Sequence, residues 1–268
     1  YILLQLAATV WTAAWVRRPG TSLLEAAGLA LSAGVTTGVF GFIAAHEMIH
    51  SRDRRERALG LVLLGSVFYM HFRIAHVYGH HRRAATFEDP ATARMGEALY
   101  AFLVRSIAGQ VREAWILEVK RRGLSLGNRM ILYLAAEASF FAAMAMFDWR
   151  SLALLVSVAV LAIVLLETFN YVAHYGLNRC AGADGRLERL GPQHSWNTGK
   201  RMNNAALFNM GRHSDHHRRM AHSYERLEPL SGEAELPCGY AAALMMAFVP
   251  PIWRRVMDPR ARAELGSN

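Results

Sequence analysis

The sequence carries Arg212-His213-Ser214-Asp215-His216-His217, in which three imidazoles fall at i, i+3 and i+4. On a helix those offsets share one face, where the rings can converge on a single cation. One turn cannot fill a coordination sphere, and the chain offers more donors: His46 and His50 in His46-Glu47-Met48-Ile49-His50, His76, His80 and His81 in Ala75-His76-Val77-Tyr78-Gly79-His80-His81, and His174 in Asn170-Tyr171-Val172-Ala173-His174-Tyr175-Gly176-Leu177. Alone, each group is weak evidence. His46-Glu47-x-x-His50 also fits a zinc protease, and a single His174 fits a packed core. Together, nine of the twelve histidines stand at chelating spacing, which a shared metal site explains better than nine unrelated structural roles. His76 and His80 share a face, whereas His81 lies about 100° from His80 on an ideal helix and is expected to reach a second ion. Imidazole serves Fe, Zn, Cu and Ni alike, so ligand type leaves the metal open. The count exceeds what one tetrahedral zinc accepts, and two irons with roughly four to five nitrogens each would use it. Of the remaining three, His194 reads as a neighbour of the site, and His71 and His222 read as surface residues.

Apolar helices must position these rings. The chain has 268 residues, 53% of them hydrophobic, and they are unevenly spread. Residues 22–45 carry one charge, Glu25, and residues 151–166 carry none. Such runs are near the length needed to cross about 30 Å of hydrocarbon. Transmembrane helices are expected at 1–16, 22–45, 130–147 and 151–172, joined in hairpins by Arg17-Arg18-Pro19-Gly20 and Asp148-Trp149-Arg150. The apolar patch 58–72 is read as a helix lying against the others, since a further crossing would separate His50 from His76. With four crossings, every histidine group emerges on one face. Of thirty Lys and Arg, only Arg17, Arg18 and Arg150 lie in the opposite turns, which places the histidines on the cytoplasmic side.

The net charge of +9 crowds beside the apolar spans and so suits a membrane surface rather than nucleic acid. Cys180 and Cys238 form no Cys-x-x-Cys pair, so any electron carrier must be a separate protein. The chain opens at Tyr1 inside an apolar run, read as the remainder of a helix in a truncated sequence. A helix is expected around 203–217 to deliver the last cluster, and 240–257, with Pro250-Pro251, reads as an interfacial or half-inserted segment. The fold class is all-α: a polytopic membrane helix bundle with a histidine-rich di-iron cap, one domain over 1–268.

With these residues laid out, the chain resembles the integral-membrane di-iron alkane 1-monooxygenases of the fatty acid desaturase and hydroxylase superfamily. The resemblance covers nearly the whole chain and includes His46-Glu47-x-x-His50, His76-x-x-Gly79-His80-His81, Asp89-Pro90-Ala91-Thr92, Asn170-Tyr171-x-x-His174-Tyr175-Gly176-Leu177, His194-Ser195-Trp196-Asn197, Arg212 to His217 and Met257-Asp258-Pro259. It implies two non-haem irons held by His46, His50, His76, His80, His81, His174, His213, His216 and His217. It also implies O2, a rubredoxin-like electron carrier with its reductase, a hydrocarbon drawn from the bilayer and an inner (plasma) membrane location. Family members have six membrane helices, so the first hairpin is expected to be missing here. Glu47, Asp89, Asp215 and His194 are expected to support the ligating rings. Phe42, Asn170 and Met210, about one turn before ligands, are expected to face substrate. Ala75 and Ala173 stand where the family has Glu, and Ser51 where it has Lys. Ala75 is also reminiscent of the xylene monooxygenases, so an alkyl-aromatic methyl group is an alternative substrate, as is a fatty acyl chain. Alternatives of another class are an intramembrane zinc protease using Glu47 as base, and a metal transport or storage protein.

Overall fold

The computed structural model describes residues 2–179 and 186–266. Its helices are α1 (Ile2–Val16), α2 (Leu23–Thr36), α3 (Phe42–His50), α4 (Arg54–Gly65), α5 (Phe72–Ile74), α6 (His81–Arg83), α7 (Leu99–Arg122), α8 (Arg129–Phe147), α9 (Trp149–His174), α10 (Arg201–Ala206), α11 (His213–Arg218), α12 (Tyr240–Ala247) and α13 (Pro250–Gly266). Wide π-helical turns, Thr37–Gly41 and Ala75–His80, join α2 to α3 and α5 to α6. Two short strands, β1 (Trp196–Asn197) and β2 (Ala234–Glu235), pair in parallel with Trp196 opposite Ala234. Three helical stretches are long and apolar enough to cross a membrane: Leu23–His50, Arg129–Phe147 and Trp149–His174. Ile2–Val16 is a shorter apolar helix. Cys180 lies outside the described residues.

The described chain forms two compact units. The first comprises residues 1–74 and 114–166, the second 75–113 and 167–268. In the first unit, the turn after α1 uses Gly20 at φ +86°. Ser22 then starts α2 through a capping box with Glu25, each side chain bonded to the other's backbone N–H at 3.2 and 2.8 Å. Gly34 in α2 and Gly38 in the π turn that follows it, about one turn apart, bring this stretch close to α9. A methyl group added at Gly34 would meet Leu161 Cδ2 at 2.7 Å, and one at Gly38 would meet Ala162 Cα at 2.9 Å. Between helices in lipid, where burial supplies no driving force, such close packing by small residues is a main source of cohesion. The patch expected at 58–72 yields α4, whose 12 residues are too few to span a bilayer and which packs along α3. Leu3, Leu4, Leu23, Leu24, Leu132, Phe141 and Met146 point outward, as residues facing lipid do.

His71 departs from its expected surface position. It is buried beside Tyr69, the ring centroids 4.4 Å apart. Burial disfavours the imidazolium and lowers its pKa to about 4.

The second unit is built on an aromatic core. Tyr175 lies 5.2 Å from Trp253 and 5.1 Å from Tyr171 by ring centroids. Tyr175 donates to Asp258 Oδ1 at 2.6 Å, and its carbonyl accepts from Trp196 Nε1 at 2.8 Å. Tyr240 stacks on Phe169 at 4.4 Å. Residues 240–257, expected as an interfacial segment, thus form α12 and the start of α13, which bury Tyr240, Trp253 and Met257 in this core. Pro250 and Pro251 open α13, where their missing N–H groups leave no hydrogen bond unmade. The helix expected across 203–217 is broken. Phe208 and Asn209 adopt φ of 48° and 56°, which separates α10 from the six-residue α11.

Two expectations follow for the first unit. Gly38→Val forces α2 and α9 apart and lowers stability by about 1–3 kcal/mol, as overpacking does, read from thermal unfolding in detergent. The unfolded chain protonates His71 near pH 6.5 and the folded chain only near 4, so stability is lost as pH falls through that window. His71→Phe flattens this part of the profile.

Candidate metal centre

Seven of the nine candidate ligands lie in the second unit, and they form two groups. His174, His213 and His217 present their Nε2 atoms to one another at 3.1, 3.2 and 3.2 Å. His80 joins them, with one ring nitrogen of each of the four within 4.8 Å of the others. In the second group, His81 Nε2 stands 3.1 Å from His76 Nε2 and 3.2 Å from His216 Nε2. The groups are neighbours, the His81 and His217 rings being 4.6 Å apart.

A triangle of three imidazole nitrogens cannot be satisfied by hydrogen bonds among its members. Each Nε2 either donates or accepts, so at least one of three pairs sets like against like. A cation resolves the conflict. Metal–nitrogen bonds of about 2.0–2.1 Å separate ligand atoms by roughly 3.3–3.4 Å in a tetrahedron and 2.9–3.0 Å in an octahedron. The observed spacing falls between the two, and the donor set fits a metal ion.

The grouping differs from the i, i+4 reading. His76 shares a group with His81, while His80 goes to the other. The cause is the π turn Ala75–His80, whose bonds run i to i+5 and bring residues five apart into line.

Around the rings, Asp89 holds His80: Oδ2 lies 2.8 Å from Nδ1 and also accepts from Thr92 Oγ1 at 2.7 Å. Burial acts to raise the Asp89 pKa, but His80 and Thr92 outweigh it and keep the carboxyl below its ordinary value. The His80 Nε2 atom is therefore free to face the group. Burial, reinforced by His81 and His213, holds His217 well below the usual imidazole range and so favours the neutral ring, the form that can bind a metal.

A six-residue helix is not stable alone, and α11 is clamped from outside. Ser214 N donates to Asn197 Oδ1 at 2.9 Å, and Asn197 Nδ2 donates to Ser214 Oγ at 2.7 Å. Asp215 binds no histidine. It accepts from Arg219 Nε at 2.8 Å and from the Glu228 N–H at 2.9 Å, fixing the far end of α11. His194 closes a tight turn, Nδ1 accepting from Gly191 N at 2.8 Å, with Nε2 3.2 Å from Glu188. Asn197, Ser214 and Thr92 were not singled out from sequence, although each sits inside a quoted motif.

Among the other candidates, Met210 and Asn170 are buried in the second unit, Asn170 donating to Glu167 Oε1 at 3.4 Å. In the first unit, His46 and His50 lie one turn apart on α3, ring centroids 4.9 Å apart, and Glu47 between them is half-buried. Phe42 is buried there against Tyr69 and Phe72. His222 is exposed.

The fatty acid desaturase family model matches residues 22–253. Alkane 1-monooxygenase 1 of Pseudomonas aeruginosa is 38% identical over 278 residues, covering 98% of this chain and 73% of the relative. The chain belongs to the alkane 1-monooxygenase family. Another member, the alkane 1-monooxygenase of Acinetobacter baylyi, is 39% identical over 97% of this chain, which spans 65% of that protein. The xylene/toluene monooxygenase hydroxylase component of Pseudomonas putida is 27% identical over 86% of the chain and 63% of its own length. This family member is a membrane protein with an all-α fold, and its histidine groups are of a kind that binds metal.

Asp89→Ala leaves His80 without its orienting acceptor. Loss of such a partner weakens metal affinity about 10–100-fold, to be read by equilibrium titration of the metal-free protein with Co(II).

Proposed function

We propose that this chain is a membrane hydroxylase that uses two non-haem irons, O2 and electrons from a rubredoxin-like carrier to convert an unactivated methyl group, that of a medium-chain n-alkane, to a primary alcohol. The observation that carries it is the pair of imidazole groups in the second unit, each spaced for one ion. His80, His174, His213 and His217 would hold one iron. His76, His81 and His216 would hold the other, and the sequence reading counts His46 and His50 among the iron ligands as well. Iron bound there would supply the activation of O2 and the cleavage of the C–H bond.

The protein's own work is placement and exclusion of water. Buried Asp89 fixes the His80 tautomer, and Asn197 with Ser214 holds α11 so that His213 and His217 keep one face. Phe42, Asn170 and Met210, buried near ligands in sequence, are assigned to the apolar substrate path. Glu47 supports a ring rather than acting as a protease base, because a single zinc would leave most of the histidines without a role. The sequence is read as one domain over 1–268, with crossings near 1–16, 22–45, 130–147 and 151–172. The excess of Lys and Arg flanking the spans supports an inner-membrane protein with its metals facing the cytoplasm and its carrier, an acidic protein, docking there. Ala75, together with the similarity to the xylene/toluene enzyme, makes an alkyl-aromatic methyl group the second substrate class.

Purified protein should contain two irons per chain. Supplied with rubredoxin and its reductase, it should convert octane, hexadecane or p-xylene to the corresponding primary alcohol, and His174→Ala should abolish turnover. One zinc without iron, or full iron loading with no hydrocarbon-dependent oxygen uptake, would overturn the assignment.

A further inference from the structure

The second unit exposes an apolar face that its own core leaves uncovered. Tyr100 and Val104 stand one turn apart on α7, and Met245, Val249 and Ile252 line α12 and the corner into α13; all five are exposed. The two stretches meet where Tyr100 Oη donates to the Phe248 carbonyl at 2.8 Å. A helix surrounded by water turns polar residues outward. The exposed positions of α12 are instead Ala241, Ala242 and Met245.

The backbone of the corner is suited to an apolar medium. Val249 N–H bonds to Met246 O at 3.0 Å, and the Ile252 and Trp253 N–H groups bond to Val249 O at 2.9 and 3.1 Å. Pro250 and Pro251, between them, have no N–H to satisfy. The Phe248 carbonyl lies where a helix ends and its carbonyls lose their partners, and Tyr100 supplies one. In water such groups find partners in the solvent, whereas in hydrocarbon each must be met internally. Charge marks the rim. Among the described residues of α7, α12 and α13, those both charged and exposed are all Arg or Lys. Arg255 stands one turn beyond Ile252 on the same face, with Arg254 beside it.

We propose that this face is a membrane contact of the second unit, in which Tyr100, Val104, Met245, Val249 and Ile252 enter the edge of the hydrocarbon while Arg254 and Arg255 hold anionic phospholipid headgroups. Arginine stems lie along apolar surface and keep their guanidinium groups at the polar boundary. A lipid surface fits better than a protein partner, because protein interfaces carry about one hydrogen bond per 100–200 Å², and the exposed positions of α12 offer no hydrogen-bonding side chain. The contact joins one face of the 240–257 segment to α7, which no long apolar run distinguishes. It rests on the chain being a membrane protein and not on the metals or the reaction.

The test compares two methionines of the wild-type chain, freed of metal and held one per nanodisc in mixed phosphatidylglycerol and phosphatidylcholine. Hydrogen peroxide, which partitions poorly into hydrocarbon, is added, and sulfoxide formation is followed by peptide mass spectrometry. Met202, on α10 between Arg201 and Asn203, is 83% exposed and Met245 is 70% exposed, so water alone would oxidise them alike. In the discs Met245 should react about tenfold more slowly than Met202. In phosphatidylcholine alone, or in acidic discs with Arg254→Gln and Arg255→Gln combined, that protection should shrink about threefold or more. Met245 reacting as fast as Met202 overturns the proposal. Protection confined to discs that hold two or more chains also overturns it and gives the face to a second copy. Protection indifferent to lipid charge and to the arginines overturns the assignment to an acidic surface. Should the double variant not accumulate, the two lipid compositions decide with the wild type.

Discussion

Three Nε2 atoms held 3.1–3.2 Å apart impose the constraint on which the second unit is built. Neutral imidazoles in such a triangle repel or waste hydrogen-bonding capacity, and their burial removes the water that would otherwise repair the loss. The arrangement is therefore unfavourable unless a cation fills it, and it persists only where the surroundings hold each ring. That work is distributed. Asp89 takes the outer nitrogen of His80, the Asn197–Ser214 pair grips the start of α11, and Asp215 anchors its end to Arg219 and Glu228. None of these contacts involves an apolar surface, so the precision of the site is electrostatic and directional. The aromatic core supplies the rigid base under it.

That base also explains why His174 is placed by a membrane helix rather than a loop. Tyr171 and Tyr175 flank it in sequence and lock the end of α9 to Trp253, Glu97 and Asp258. Gly176, at φ +70°, then turns the chain away, its N–H donating to Ala93 O at 2.9 Å. A ring on a helix end fixed in this way has little freedom to move. In the first unit the same economy appears in another form: Gly34 and Gly38 permit close packing of α2 on α9, and α3 carries His46 and His50 at its end.

Three long apolar helices, the four histidine groups and the family were legible in the chain, whereas the stretch read as a crossing at 1–16 forms an apolar helix of only 15 residues. Long uncharged runs have few stable forms other than helices in lipid, and imidazoles at i, i+3 and i+4 leave a signal that survives any tertiary detail. Asp89 and Asn197 were visible only as members of motifs, because a carboxylate or amide acquires its role from the one partner it reaches.

The sequence by itself singled out the candidate ligands by type, since the imidazoles recur at chelating spacing along these helices. Tertiary structure alone decided how they are shared. A single π turn moved His80 away from His76 and set His76 beside His81, because its hydrogen bonds span five residues where an α-helix spans four. Tertiary structure also broke the expected helix before His213, gave Asp215 Arg219 as its partner and buried His71. Each of these depends on backbone geometry or on a distant neighbour, and neither is encoded in local spacing.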